Sequence, residues 1–342
     1  MDLEDLRATL VGFLVAAIVF AVLFWFVGVD RIVTALGRAD LRIVAVVGVM
    51  MLSWLVAWSF ALQTVLEVLG ARLSVTDSIL AYSSAAFANN VTPFGQAGGE
   101  PIAALLIADA ADENYETGLA AIASIDTLNF MPSITLAIIG IGYYATTTAL
   151  GPRLEVVTIS VVALAVGVPT LVLLAWRHRY ALEQRTIQFL TPVAHGIGRA
   201  LPRFSAPDPE SIDERIHRFY GSIERVATDR RALARALSFS TLGWGFQASA
   251  LWIAFVALGQ PIPPVIPLIV IPVGAIASVA PMPGGLGGIE SVYVVLLVTM
   301  TGISLPLVTA AVIIQRVGGF WLTILVGAAS LGILRARSES RL

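Results

Sequence analysis

The amino-acid sequence predicts an all-α polytopic membrane protein. It is built from two inverted repeats, each with a Pro/Gly-broken helix pair that is either re-entrant or discontinuous. Three observations predict this. Hydrophobic residues make up 57% of the 342 residues and charged residues 13%, with a mean hydropathy of +0.86; a soluble domain is nearer half apolar and a quarter charged. Several apolar runs exceed the roughly 18 residues that mark a membrane-spanning helix. Two stretches dense in proline and glycine interrupt such runs, Pro93-Phe-Gly-Gln-Ala-Gly-Gly-Glu100 and Pro281-Met-Pro-Gly-Gly-Leu-Gly-Gly-Ile-Glu290. They lie in register: Pro93 and Pro283, Gly95 and Gly285, Gly98 and Gly288, and Glu100 and Glu290 are each 190 positions apart.

Taken in order, the chain starts with a short polar segment, Met1 to Arg7, and a first span over about Leu10 to Val29. That run is long and lacks a small-residue cleavage site, so it reads as a retained span. A charged connection, Asp30 to Arg42, leads into a second span from about Leu41 to Leu69, where Glu67 near the end is expected at the interface. Thr76 to Ala108 carries the first Pro/Gly stretch. Proline and glycine at this density end a helix, and a bilayer tolerates such backbone only where protein or a water-filled cavity satisfies it. Asn89 and Asn90 abut this turn and read as structural polar lining. An acidic loop, Asp109 to Glu116, precedes a span over Gly118 to Tyr144 that carries Asp126, and a further span covers Val156 to Trp176.

Residues 177–235 are the longest polar segment and hold 11 of the 21 basic residues, all of them arginine, and all three histidines. Within it, Ser211 with Glu214 has the form of a capping box. Ile212, Ile216, Phe219, Ile223 and Val226 recur at helical spacing, which predicts an amphipathic helix over 208–230 lying at the membrane surface with its apolar stripe toward lipid or protein. A span over Ala236 to Leu258, the second broken pair over Val265 to Thr301, and a last span over Leu305 to Leu334 complete the chain. The arginine excess predicts that the 177–235 segment and both termini are cytoplasmic, with the acidic 109–116 loop on the same side and the protein in the cell membrane. The whole of 1–342 reads as one transmembrane domain, with repeats at about 41–150 and 231–340. A single odd helix separates the repeats and so inverts one relative to the other, as in many secondary transporters.

Four ionisable groups fall at membrane depth: Glu100, Asp126, Glu290 and Arg316. Each costs at least about 2.5 kcal/mol at a helix centre when unpaired, so such groups face a cavity or one another. Asp126 and Arg316 are themselves 190 positions apart, which predicts that they face each other across a cavity and partly neutralise one another. Glu100 and Glu290 are expected to cap amides at half-helix starts. Gly98, Gly99, Gly284, Gly285, Gly287 and Gly288 open those starts and offer N–H groups to a phosphate. The chain has no cysteine, its histidines lack metal-ligand spacing, and no nucleophile elbow, Walker loop or zinc motif occurs. No catalytic residue, metal or cofactor is expected, and no nucleic-acid partner.

The pattern Pro-x-Pro-Gly-Gly-x-Gly-x-x-Glu, the earlier Pro-x-Gly-x-x-Gly-Gly-Glu and the arginine in the last long span resemble the lysylphosphatidylglycerol synthase/flippase transmembrane family. That family includes the membrane half of the multiple peptide resistance factor and of an archaeal glycosyltransferase. The resemblance covers nearly the whole chain and maps family positions onto Glu100, Gly284, Gly285, Gly287, Glu290 and Arg316. The first motif departs from the family, since Pro101-Ile-Ala-Ala follows Glu100 where an arginine is usual. The implied function is a flippase-like transporter that moves an anionic or polyprenyl-linked polar headgroup between leaflets, with Arg316, Asp126, Glu100, Glu290 and the six glycines as substrate-binding candidates. The alternatives are a membrane-embedded lipid-headgroup enzyme using Glu100 or Glu290 as base, and an accessory subunit of an envelope glycosyltransferase.

Overall fold

A computed structural model describes residues 14, 17, 21, 25, 28–92, 95–147, 152–200, 209–279 and 282–339, which are helical with no strand. Most of the expected first span, 10–29, lies outside these residues. The helices are α1 (Val29–Leu36), α2 (Leu41–Leu69), α3 (Val75–Val91), α4 (Gly95–Ala111), α5 (Tyr115–Thr147), α6 (Pro152–Arg177), α7 (Arg179–Ala200), α8 (Pro209–Thr228), α9 (Arg230–Ala257), α10 (Val265–Ala275), α11 (Gly288–Thr301), α12 (Leu305–Arg316) and α13 (Leu322–Glu339). Among the described residues, five segments are long and apolar enough to cross a membrane: Leu41–Leu69, Tyr115–Tyr144, Arg230–Ala257, Pro283–Thr301 and Leu305–Arg337.

Local chemistry sets the ends. Asp40 accepts from the Arg42 N–H at 2.8 Å to start α2, Ser74 accepts from Asp77 N–H to start α3, and Asp229 accepts from Arg231 and Ala232 N–H at 3.0 Å to start α9. These side chains satisfy amides that a helix leaves without partners. Gly70 closes α2 at φ 97°, and Gly302 closes α11 at φ 68°. The residue equivalent to Gly302 in the first half is Asp112, which adopts φ 53° with a side chain attached. Asp112→Gly is therefore expected to raise stability by up to about 1 kcal/mol by relieving the left-handed conformation, measured as a higher melting midpoint in detergent.

The element boundaries themselves recur at the same offset. α2 matches α9, α3 matches α10 with the 3₁₀ turn Ile276–Val279, α4 matches α11, and α5 matches α12 with α13. Packing is reciprocal, because α3 lies against α13 and α10 lies against α5. The two equivalent helices α2 and α9 run antiparallel along one seam. The Asp40 N–H donates to the Ala257 carbonyl at 2.9 Å at one end, Trp58 Nε1 donates to the Ser240 carbonyl at 3.3 Å in the middle, and Glu67 meets Arg235 at 3.6 Å at the other. Gly243 permits that approach, since a Cβ there would overlap the Trp58 indole.

The arginine-rich segment is a set of helices, and its amphipathic helix departs from the sequence expectation at its start. α8 begins at Pro209, so the Ser211–Glu214 pair lies inside the helix and does not mark its start. Its apolar stripe turns toward protein: Ile216 is 8% and Val226 3% exposed, and Phe219 and Ile223 pack with Val226 on the core formed by α2, α4 and α5. The side chain of Ile212 lies outside the described residues. Arg215 pairs with Glu116 at 3.3 Å, and Arg179 with Glu224 at the same distance. The end of the acidic 109–116 loop thus lies beside the arginine-rich segment. The apolar stripe has a protein partner because the start of α5 offers buried area, and Glu116 matches the charge of the adjoining basic face.

Candidate functional site

The second Pro/Gly stretch forms the 3₁₀ turn Pro283–Gly285 followed directly by α11. Gly284, Gly285 and Gly287 take φ of 55°, 65° and 82°, a run of left-handed backbone that side-chain-bearing residues rarely enter. This turn brings Glu290 into the first turn of α11, where its Oε2 accepts from the Gly287 N–H at 2.6 Å. The carboxylate thus caps the helix whose positive dipole end it faces. On the neighbouring element, α12 ends at Arg316 and continues through a π-helical segment, Val317–Trp321. Such irregular turns reposition side chains along a helix face.

Arg316 Nε donates to Glu290 Oε1 at 2.6 Å, and its Nη2 donates to the Gly284 carbonyl at 3.1 Å. The guanidinium carbon lies 5.4 Å from the Phe320 ring centroid. The Glu290 side chain is 3% exposed and that of Arg316 15%. Arg316 therefore staples the glycine turn to α11 with its ion-pair partner on its own half of the chain. The expected partner, Asp126, is not the one it takes. In the first half, the equivalent positions also meet, since Glu100 lies beside Asp126. The 190-residue relation between Asp126 and Arg316 therefore reflects equivalent positions, and each lies beside the acid 26 residues before it.

Between the halves lies a cavity of about 320 Å³, at the lower end of the range for small-molecule sites. Of the sequence-predicted residues, Asp126, Arg316 and Gly284 line it. Glu100 and Glu290 stand behind Asp126 and Arg316 as their partners. Gly285, Gly287 and Gly288 form the turn and the start of α11, and Gly99 lets α4 approach α3, since a Cβ there would overlap the Asn89 backbone. Gly98 is half-buried near the start of α4. The glycines thus shape the backbone around the cavity.

Asn89 and Asn90, expected as polar lining, both line the cavity. Sequence reasoning missed Gln315, which is 2% exposed, lies next to Arg316 and has an Oε1 with no hydrogen-bond partner in the protein. A lone glutamine inside the apolar run of the last span was the available signal. It also missed the aromatic wall. Trp58 makes edge-on contacts with Trp54 at 5.3 Å and Trp244 at 5.6 Å, and Tyr82 lies 6.3 Å from Trp58. Asn129 orders this wall: it accepts from Ser240 Oγ through Oδ1 and from Trp244 Nε1 through its carbonyl.

Comparison with known proteins finds the family model described as the lysylphosphatidylglycerol synthase TM region matching residues 9–327. A UPF0104 membrane protein of Methanothermobacter thermautotrophicus is 27% identical over 332 residues, covering 95% of this chain and 92% of the relative. A UPF0104 membrane protein of Pyrococcus horikoshii is 23% identical over 312 residues, covering 90% of this chain and 91% of the relative.

Proposed function

We propose that this chain, which belongs to the lysylphosphatidylglycerol synthase transmembrane-region family, moves the polar headgroup of a membrane lipid between leaflets. The observation that carries the reading is a cavity with charged and amide walls enclosed by helices apolar enough to span a bilayer. Polar side chains at membrane depth are retained where they line a path or a site. The antiparallel seam of α2 and α9 and the reciprocal packing of α3 and α10 support two halves inverted in the membrane about this cavity. In that arrangement the two broken stretches enter from opposite faces, and small shifts of one half against the other would open the cavity alternately. The arginine-rich helices then face the cytoplasm of a cell-membrane protein.

The test is reconstitution into liposomes carrying fluorescent lipids, with dithionite reporting how fast inner-leaflet label becomes accessible. The chain should accelerate exchange over empty liposomes. Ala86→Trp, which places an indole on the cavity wall, should slow that exchange about tenfold, equivalent to ~1.4 kcal/mol on the barrier. Exchange that equals empty liposomes for every lipid class would exclude the reading.

A further inference from the structure

We propose that the cavity recognises a glycosyl headgroup, so that the lipid handled is a sugar-bearing one. The inference rests on the translocation reading for its context, and on three features of the cavity wall for its content.

The first is the state of the guanidinium. A phosphate would need Arg316, yet Nε and Nη2 of Arg316 are both engaged inside the protein and its charge is matched by Glu290 at 2.6 Å. With Asp126 on the wall and Glu100 beside it, the surroundings carry more acid than base. A bare anion meets an unfavourable potential there.

The second is the pattern of unsatisfied groups. Gln315 Oε1 and Asn89 Oδ1 are buried acceptors without a partner in the protein, and Trp54 Nε1 is a buried donor without one; all three residues line the cavity. An unmade bond at a buried polar atom is costly. An ammonium group only donates and would leave Trp54 unmet. A phosphate oxygen only accepts and would leave Gln315 and Asn89 unmet. A hydroxyl does both, and a sugar carries several on a rigid ring. Exchange of O and N in one of the two carboxamides still leaves a mixed set of donors and acceptors, which a hydroxyl meets and a phosphate oxygen does not.

The third is the aromatic wall of Trp54, Trp58, Trp244 and Tyr82. Indole faces take up the apolar C–H face of a pyranose while its hydroxyls reach amides and carboxylates, and a volume of about 320 Å³ suits one such ring.

The test measures binding apart from transport. The chain in phosphatidylcholine nanodiscs is titrated with short-chain dansyl-labelled glucosylceramide, phosphatidylglycerol or phosphatidylethanolamine, and saturable energy transfer from tryptophan to dansyl is read. The glucosyl lipid should bind at least about tenfold tighter than the other two, the scale of one or two hydrogen bonds. Gln315→Leu and Asn89→Leu should each remove about tenfold of that affinity. The melting midpoint of Gln315→Leu should not fall, because the change removes an unpaired buried oxygen. Phosphatidylglycerol or phosphatidylethanolamine binding as tightly as the glucosyl lipid overturns the proposal, and this arm needs no variant. Glucosyl-lipid affinity untouched by both substitutions overturns it as well. Selective, variant-sensitive glucosyl binding without leaflet exchange upholds the headgroup assignment and removes the translocation reading. Exchange of all lipids without selective binding does the reverse.

Discussion

Arg316→Ala is expected to lower the stability of the folded chain by about 3–5 kcal/mol, the loss typical when one partner of a buried ion pair is removed. The size follows from what remains behind. Glu290 is 2% exposed, and without Arg316 its Oε1 loses its charged donor while Oε2 keeps only the Gly287 N–H. The Gly284 carbonyl loses its partner at the same time, in a turn whose backbone is already left-handed at three glycines. Lysine restores a charge but cannot donate in two directions from one plane, so Arg316→Lys should fall between arginine and alanine. Glu290→Gln keeps an acceptor for only one of the two donors and should fall between glutamate and alanine. Removing both charges, as Arg316→Met with Glu290→Leu, should recover much of the loss, since an apolar pair of similar volume often replaces a buried bridge without penalty. Melting midpoints and folded yield in detergent for the four corners of this cycle give the coupling directly. The exchange Asp126→Arg with Arg316→Asp should not rescue folding, because it sets a second carboxylate against Glu290 and breaks the Glu100–Asp126 contact. Rescue by that exchange would overturn the pairing within halves.

Gly99→Val is expected to prevent the first helix pair from closing, with most of the protein lost to aggregation on extraction. A Cβ at Gly99 would sit inside the backbone of Asn89, so no rotamer change relieves it and α3 and α4 must separate. Overpacking a core costs about 1–3 kcal/mol when side chains can shift, and a backbone collision belongs above that range. Gly99→Ala should already show a lower melting midpoint. Gly48 provides the contrast, since a Cβ there meets nothing within 4 Å. It lies inside α2, so Gly48→Ala should raise stability by about 0.5–1 kcal/mol through backbone entropy. Equal effects at the two glycines would show that the α3–α4 approach does not matter.

The halves of the cavity differ in one respect that the pairing makes clear. At equivalent positions, one half holds an acid–acid contact and the other an acid–arginine contact. The cavity therefore presents an asymmetric wall. A site of this kind orients its ligand, because the two sides offer different partners to the same headgroup.

Much of the architecture was legible in one dimension. Hydropathy over ~18-residue windows located α2, α5, α9 and the last span, and the density of proline and glycine located both breaks. Register between the breaks gave the offset at which the helix boundaries recur, and Glu290 was placed in the first turn of its helix from spacing alone. Those features depend on neighbours in the chain, which the sequence carries directly. The partner of Arg316, the core on which the stripe of α8 packs, and the unpaired oxygen of Gln315 were decided only in three dimensions. An internal repeat states which positions are equivalent, but equivalence is silent on whether they meet across the interface or turn back within their own half. That choice depends on how each helix is rotated about its axis, and rotation is set by close contacts such as Gly99 on Asn89 and Gly243 on Trp58, where the absence of a single methyl group lets two helices approach.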